Sequence, residues 1–296
     1  MSFRAILMGL AFALMWSSAF ATARIIVADA PPLLALCLRF LLSGTVAILL
    51  ARAMGQTWRL PGGLRGPQAR AVLIFGLCQN ALYLGLNFVA MQKIEASLAA
   101  IIASSMPLIV AALGWAFRGE RTSSLGLAGL VTGMAGVALI MGSRVQGGAD
   151  MTGIVLCVIG STALAVATLT VRGASAGGNL LMIVGLQMLV GSVTLGVISA
   201  VTETWQITPS FTLLAAFVYQ SFVPGLVATL LWFTLVGEIG AVKAATFHFL
   251  NPFFGVVIAA LLLNEQIGRL DVVGVLIVMA GILAVQISRQ TPKEGL

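Results

Sequence analysis

Residues 124–144 read SLGLAGLVTGMAGVALIMGSR, and residues 269–289 read RLDVVGVLIVMAGILAVQISR. The two stretches lie 145 positions apart. In that register Gly129 meets Gly274, Met134-Ala135-Gly136 meets Met279-Ala280-Gly281, and Ser143-Arg144 meets Ser288-Arg289. Followed outward, residues 71–144 align on 216–289 without a gap, with 16 identities in 74 positions. Pro107 falls on Pro252 and Glu120 on Glu265. Apolar composition would match Leu with Leu, but it would not bring Pro, Glu, Gly and Arg to one offset. A looser register of 148 relates the earlier parts of the two copies, setting Arg24 on Arg172 and Arg39 on Gln187. The chain thus reads as a duplication, with halves at 1–147 and 148–296.

Each copy is built for lipid. Of the 296 residues 60% are apolar and 8% charged, where a water-exposed surface needs about 25% charged. A helix crosses the hydrocarbon with about 20 apolar residues, and charges, Pro and Gly punctuate ten such runs. They lie near 4–28, 33–54, 69–91, 96–117, 124–143, 152–172, 180–202, 211–236, 241–263 and 269–289. The expected fold is therefore an all-α integral membrane protein of ten transmembrane helices. The longest link, 55–68 with Arg59, Pro61 and Arg65, is a polar loop. Arg4 and Ala21-Thr22-Ala23 imitate a cleaved signal peptide. The counterpart of this segment inside the second copy argues that it is retained.

Charge gives orientation. The net charge of +7 comes from residues scattered singly, without the basic stripe a nucleic acid would need. With the N-terminus inside, the inner ends hold Arg4, Arg52, Arg59, Arg65, Arg70, Arg118, Arg121, Arg172, Lys243, Arg289 and Lys293. The outer ends hold Arg24, Lys93, Arg144 and Arg269. Basic residues favour the cytoplasmic side, so both termini are expected there, in a bacterial inner membrane. Five helices per copy is an odd number, so the second copy enters from the opposite face. The result is an inverted repeat, an arrangement found in alternating-access carriers.

No enzyme is expected. The chain has one His, no HExxH pattern, no Asp pair within a run and no phosphate-binding loop. Cys37, Cys78 and Cys157 sit in apolar runs without metal-ligand spacing, so neither metal nor cofactor is implied. Arg39 lies two turns into the second run, where an unpaired charge is costly. It either anchors a substrate carboxylate or serves the structure, bonding broken carbonyls or snorkelling. Asn80, Tyr83 and Asn87 share one face at helical spacing, flanked by Gln79, and line a cavity or bond to neighbouring helices. His248 and Asn251 precede Pro252, with Lys243 nearby. His248 either binds substrate or protons, or bonds to a neighbouring helix. Trp16 and Phe20 stack at i, i+4 beside Ser17, as an aromatic wall or as packing. Trp115 and Trp232 read as interfacial anchors, and Gly126, Gly129, Gly133 and Gly136 as sites of close helix approach.

Several of these features together resemble the drug/metabolite transporter superfamily in its ten-helix EamA form. They are Trp16-Ser17-Ser18, Arg39 in an apolar helix, Pro107 to Gly119-Glu120 before a Gly-rich helix, and the repeat as Pro252 to Asn264-Glu265. The layout is also similar to the aromatic amino acid exporters of that superfamily (YddG-type). The resemblance implies a bundle around a central cavity that exports small metabolites, amino acids foremost. Substrate contacts would come from Trp16, Phe20, Arg39, Gln79, Asn80, Tyr83, His248 and Asn251. A drug exporter or lipid-linked sugar flippase is the alternative on the same scaffold. The partners implied are a small-molecule substrate and the bilayer, and a monomer is expected. Asn264 departs from the family's Gly before Glu265, which leaves the cap at that turn open.

Overall fold

The computed structural model describes residues 2–57, 62–118, 123–170, 179–240, 244 and 246–290. Arg59, Pro61, the Gly119-Glu120 turn, Arg121, Arg172, Lys243 and Lys293 fall outside the described residues. The described secondary structure is helical. Ten helices follow in order: α1 (Phe3–Asp29), α2 (Pro32–Ala53), α3 (Pro67–Ala90), α4 (Ala96–Phe117) and α5 (Ser124–Gln146). Then come α6 (Met151–Thr170), α7 (Leu180–Thr202), α8 (Phe211–Ile239), α9 (Phe247–Leu263) and α10 (Arg269–Gln290). Among the described residues, nine are long and apolar enough to span a membrane, and α9 is shorter. The chain is a ten-helix membrane protein.

Two prolines shape α4 and α9. Proline removes an N–H and clashes with the preceding turn. Helix α4 breaks at Ser105, two residues before Pro107, and the Ser104 and Ser105 hydroxyls donate to the carbonyls of Ala100 and Ile102. In α9 a 3₁₀ turn over Thr246–Leu250 precedes Asn251-Pro252. Residues 246–250 of the ninth run therefore form a tighter 3₁₀ turn, not the uniform α-helix its hydropathy suggests.

Helices α3 and α8 carry a second distortion that hydropathy does not register. Residues Gly76–Leu84 of α3 and Val223–Val227 of α8 are π-helical, with i→i+5 hydrogen bonds. At the 145-residue offset the α8 segment falls within the α3 segment. Pro224 explains the one in α8; no comparable breaker stands in α3.

The helices sort into two compact units, each drawing on both halves of the sequence. One contains Met1–Ala21, Lys93–Ile154 and Ala228–Leu296. Within it α5 lies against α10, its repeat mate, and the seam is made by glycine. A Cβ at Gly129 would come 2.7 Å from the Cβ of Ala284 and 2.8 Å from the Gly281 carbonyl. One at Gly136 would reach Ile277, and one at Gly274 would strike Ile140. Rising numbers on α5 thus meet falling numbers on α10, so the mates run antiparallel. Helices α4 and α9 pair in the same sense, with Gly255 against Ala100 and Glu265 at the start of α4.

The Glu265 turn settles the cap question. Asn264 adopts φ 54°, ψ 31° at the end of α9, the left-handed conformation in which Gly is favoured and Asn tolerated. The turn aims the Glu265 carboxylate at the N–H groups of Ala96 and Ser97, at 2.7 and 3.0 Å. That is an anion at a helix N-terminus. In the same unit Arg144 bonds Asp271 through two nitrogens, at 3.0 and 2.8 Å, and also pairs with Glu95.

The other unit contains Thr22–Gln92 and Val155–Val227. Here α2 lies antiparallel to its mate α7: Gly44 meets Gly185, Cys37 meets Ser192 and Gly196, and Gln56 caps Met182. The Glu203 carboxylate accepts from the N–H groups of Leu33 and Leu34, both at 2.9 Å, and so caps α2.

Candidate functional site

The candidate residues fall into two clusters. Trp16, Phe20, His248 and Asn251 belong to the first unit, and Arg39, Gln79, Asn80 and Tyr83 to the second.

In the first unit, Phe12 and Trp16 stand one turn apart on α1, with ring centroids 5.7 Å apart. Trp232 of α8 lies 4.8 Å from Phe12 and 5.0 Å from His248, and the His248 ring meets Phe12 edge-on at 5.3 Å. Such geometries suit the aromatic quadrupole. Phe12 is buried, while Trp16, Trp232 and His248 keep part of their surface open. The 3₁₀ turn before Pro252 brings Asn251 Nδ2 to 2.9 Å from His248 Nδ1. The amide donates there, so the neutral imidazole carries its proton on Nε2. Asn251 is buried and its Oδ1 has no partner. The Ser17 hydroxyl donates to the Asn251 carbonyl at 3.2 Å, tying α1 to α9.

Three expectations change here. Trp16 meets Phe12 one turn back in place of Phe20 one turn on, and Phe20 is buried. Trp232 is no interfacial anchor; it packs inside the cluster. His248 bonds within its own turn, not to a neighbouring helix. Trp115 remains exposed.

In the second unit, Arg39 is 5% exposed and sits within 5.2 Å of the Phe40 ring centroid. Its Nε and Nη1 have no hydrogen-bond partner. It therefore neither snorkels nor spends these two donors on carbonyls. Around it the polar groups are engaged with one another. The Ser43 hydroxyl donates to the Ser221 carbonyl at 3.0 Å, and Ser221 donates to the Phe217 carbonyl at 2.7 Å. Thr22 donates to Gln220 Oε1. Thr22, Ser43, Gln220 and Ser221 were not singled out by sequence. The Gln220 to Gly225 stretch, polar and Pro-Gly-containing inside an apolar run, was the available signal.

The face expected across Asn80, Tyr83 and Asn87 is split, because π-helical turns are wider than the α-helical spacing assumes. Asn80 turns to α7, where Nδ2 donates to the Gln187 carbonyl at 2.8 Å. Asn87 turns to α6, accepting from Cys157 at 3.2 Å while donating to the Tyr83 carbonyl at 2.7 Å. Tyr83 is buried, and Gln79 is half-buried.

Among the described residues no group of His, Cys, Asp and Glu has metal-binding geometry.

Comparison with known proteins bears on what this arrangement does. The sequence model described as the EamA-like transporter family matches residues 3–142 and 151–287. The chain is 25% identical to an uncharacterized transporter, YvbV of Bacillus subtilis, covering 95% of this chain and 91% of that one. It is 27% identical to the uncharacterized inner membrane transporter YedA of Escherichia coli, over 96% and 91%. It is 23% identical to protein PecM of Dickeya dadantii, over 90% and 86%. A protein of known crystal structure superposes with a TM-score of 0.67 at 19% identity, over 98% and 99% of the two chains, a likeness of fold alone.

Proposed function

Because the chain belongs to the EamA-like transporter family, we propose that it is an alternating-access exporter of small metabolites, with amino acids, aromatic ones included, as its cargo. The observation that carries this reading is the Phe12, Trp16, Trp232 and His248 cluster with the Asn251 Oδ1 acceptor beside it. Partly open aromatic faces suit a ring or a large apolar side chain, and a buried unpartnered acceptor suits an ammonium group. The antiparallel pairing of repeat mates supports the inverted repeat that alternating access uses. The protein works as a monomer in a bacterial inner membrane, with both termini in the cytoplasm. A relative carrying the name of an inner membrane transporter agrees with that location.

A second reading, a lipophilic drug or lipid-linked sugar, has one observation in its favour. A groove of about 520 Å³ opens in the second unit, with an almost wholly apolar lining of Ile26, Leu34, Leu38, Phe211, Leu214 and Phe217 among others.

Counterflow in proteoliposomes separates the two. The exporter reading expects labelled phenylalanine and tryptophan to exchange, and alanine more weakly. Exchange of a lipid-linked sugar with none of any amino acid would replace it with the flippase. For orientation, a cytoplasm-only reporter fused after Leu296 should be active and one in the 145–150 loop silent. The reverse pattern would overturn the assignment of sides.

A further inference from the structure

In the second unit an apolar groove ends at a negative charge that no cation of the chain meets. Its wall takes Ile26 and Ala30 from α1, Leu34 and Leu38 from α2, and Leu214 and Phe217 from α8. On each helix the two residues stand three or four apart, so each helix lends one face. Ala30 contributes only a methyl group, which leaves room that a longer side chain would take. The space amounts to about 520 Å³. Leu38 is 43% exposed and Leu214 59%, both on helices long and apolar enough to span a membrane. The solvent for such surface is hydrocarbon.

The two ends of the groove differ. Asp29 closes α1, Pro32 opens α2 and Phe211 opens α8. Ala30 and Ser210 therefore stand at the helix-end side, and Ile26, Leu38 and Phe217 lie deeper. At the helix-end side the Ser210 hydroxyl is 3.4 Å from Asp29 Oδ2. The Thr208 N–H donates to the Asp29 carbonyl at 2.9 Å, tying the link after α7 to the end of α1. Trp205 of that link is 60% exposed, and tryptophans of membrane proteins gather at headgroup depth.

Charge at this end is one-sided. Asp29 enters no ion pair among the described residues. It is the last residue of α1, whose final turn holds no basic residue. A helix C-terminus carries a partial negative charge that favours cations, so dipole and carboxylate add. The other acid of the unit, Glu203, is spent on capping α2 and on the Ser199 hydroxyl at 2.6 Å. Arg24, further back on α1, donates to the Met91 carbonyl.

We propose that the groove is a binding site for one phospholipid whose headgroup carries an ammonium. The acyl chain lies along the apolar wall, and the ammonium sits on Asp29 and the end of α1. Chain burial gives an affinity that any bilayer lipid shares, and the acidic end gives the preference. An anionic headgroup would meet like charge there. The site needs no cargo, and it gives to a bilayer component the space a flippase would give its substrate.

Native mass spectrometry of the full chain in detergent tests this, with phosphatidylethanolamine and phosphatidylglycerol of identical chains as probes. Phosphatidylethanolamine should half-saturate at a concentration about fivefold lower, as expected for one headgroup charge. Asp29→Asn should erase that difference. Leu38→Trp, which fills the groove, should weaken both lipids about tenfold; Leu214→Trp fills it from α8 if the first variant does not fold. Glycerophosphoethanolamine, the headgroup without chains, should not compete. Equal affinity for the two lipids in the parent, or a preference that survives Asp29→Asn, would overturn the site. So would undiminished binding in a folded groove-filling variant, or competition by the free headgroup. The exporter reading stands apart from all four outcomes, because amino acid counterflow decides it.

Discussion

Arg144 and Arg39 are the same residue type handled in opposite ways. Arg144 has two nitrogens on Asp271, a pairing with Glu95 and the Gln266 carbonyl within 3.4 Å. Arg39 is buried with two of its three nitrogens unbonded. A guanidinium saturated by its own protein is a structural part, and deleting it strands the buried carboxylate it served. One left unsaturated is a standing cost, at least about 2.5–3.5 kcal/mol for an arginine deep in a membrane helix, and deleting it relieves that cost. The two sites should therefore respond to mutation with opposite signs in stability.

The contrast breaks first at Arg144. Arg144→Gln should cost about 3 kcal/mol, because the Asp271 side chain is only 3% exposed and would lose its partner. Thermal unfolding in detergent measures this, and a loss under about 1 kcal/mol would place Arg144 among ordinary surface ion pairs. Arg39→Met should move the other way, with a gain of about 1–2 kcal/mol. Destabilisation instead would make Arg39 a structural arginine like Arg144. The neutral aromatic cluster sharpens the comparison, since neither sign applies to it. Trp16→Ala and Trp232→Ala should each weaken phenylalanine counterflow relative to alanine by about tenfold at most, as expected for lost stacking and area. Equal losses for both substrates would reduce the cluster to packing. Smallest is Asn264→Gly, which should stabilise by roughly 0.5 kcal/mol or less, whereas Asn264→Ala should cost roughly 1 kcal/mol. The two melting curves test whether the positive φ alone holds the turn that aims Glu265.

The sequence carried the ten helices because hydrophobic length is a one-dimensional property, and it carried the duplication because residues such as Pro107 and Gly129, at a helix break and a tight seam, stand out from an apolar background. Arg39 was legible as an anomaly from its burial cost alone. Its lack of partners was not, since that depends on where Asp29 and Glu203 spend their carboxylates. The π-helical segments were invisible, because shifting a backbone hydrogen bond from i+4 to i+5 leaves hydropathy untouched. That shift is also why the face drawn through Asn80, Tyr83 and Asn87 came apart. Trp232 was misread because distance from a helix end says nothing about which neighbour the ring meets.

The pairing of each helix with its repeat mate has a consequence for how the protein is made. Gly129 and Gly136 of α5 find their complement in α10, about 145 residues later in the chain. At ribosomal speeds of about 5–20 residues per second, that is a wait of roughly 7–30 s. Throughout it, a stripe of small residues built for close contact lies in the bilayer without its mate. Helices α2 and α7 lie about as far apart, 148 residues, but both are made before α10, and the unit that holds Arg39 ends at Val227. Assembly from the ribosome therefore finishes the unit with the unpaired arginine first and the unit with the saturated one last.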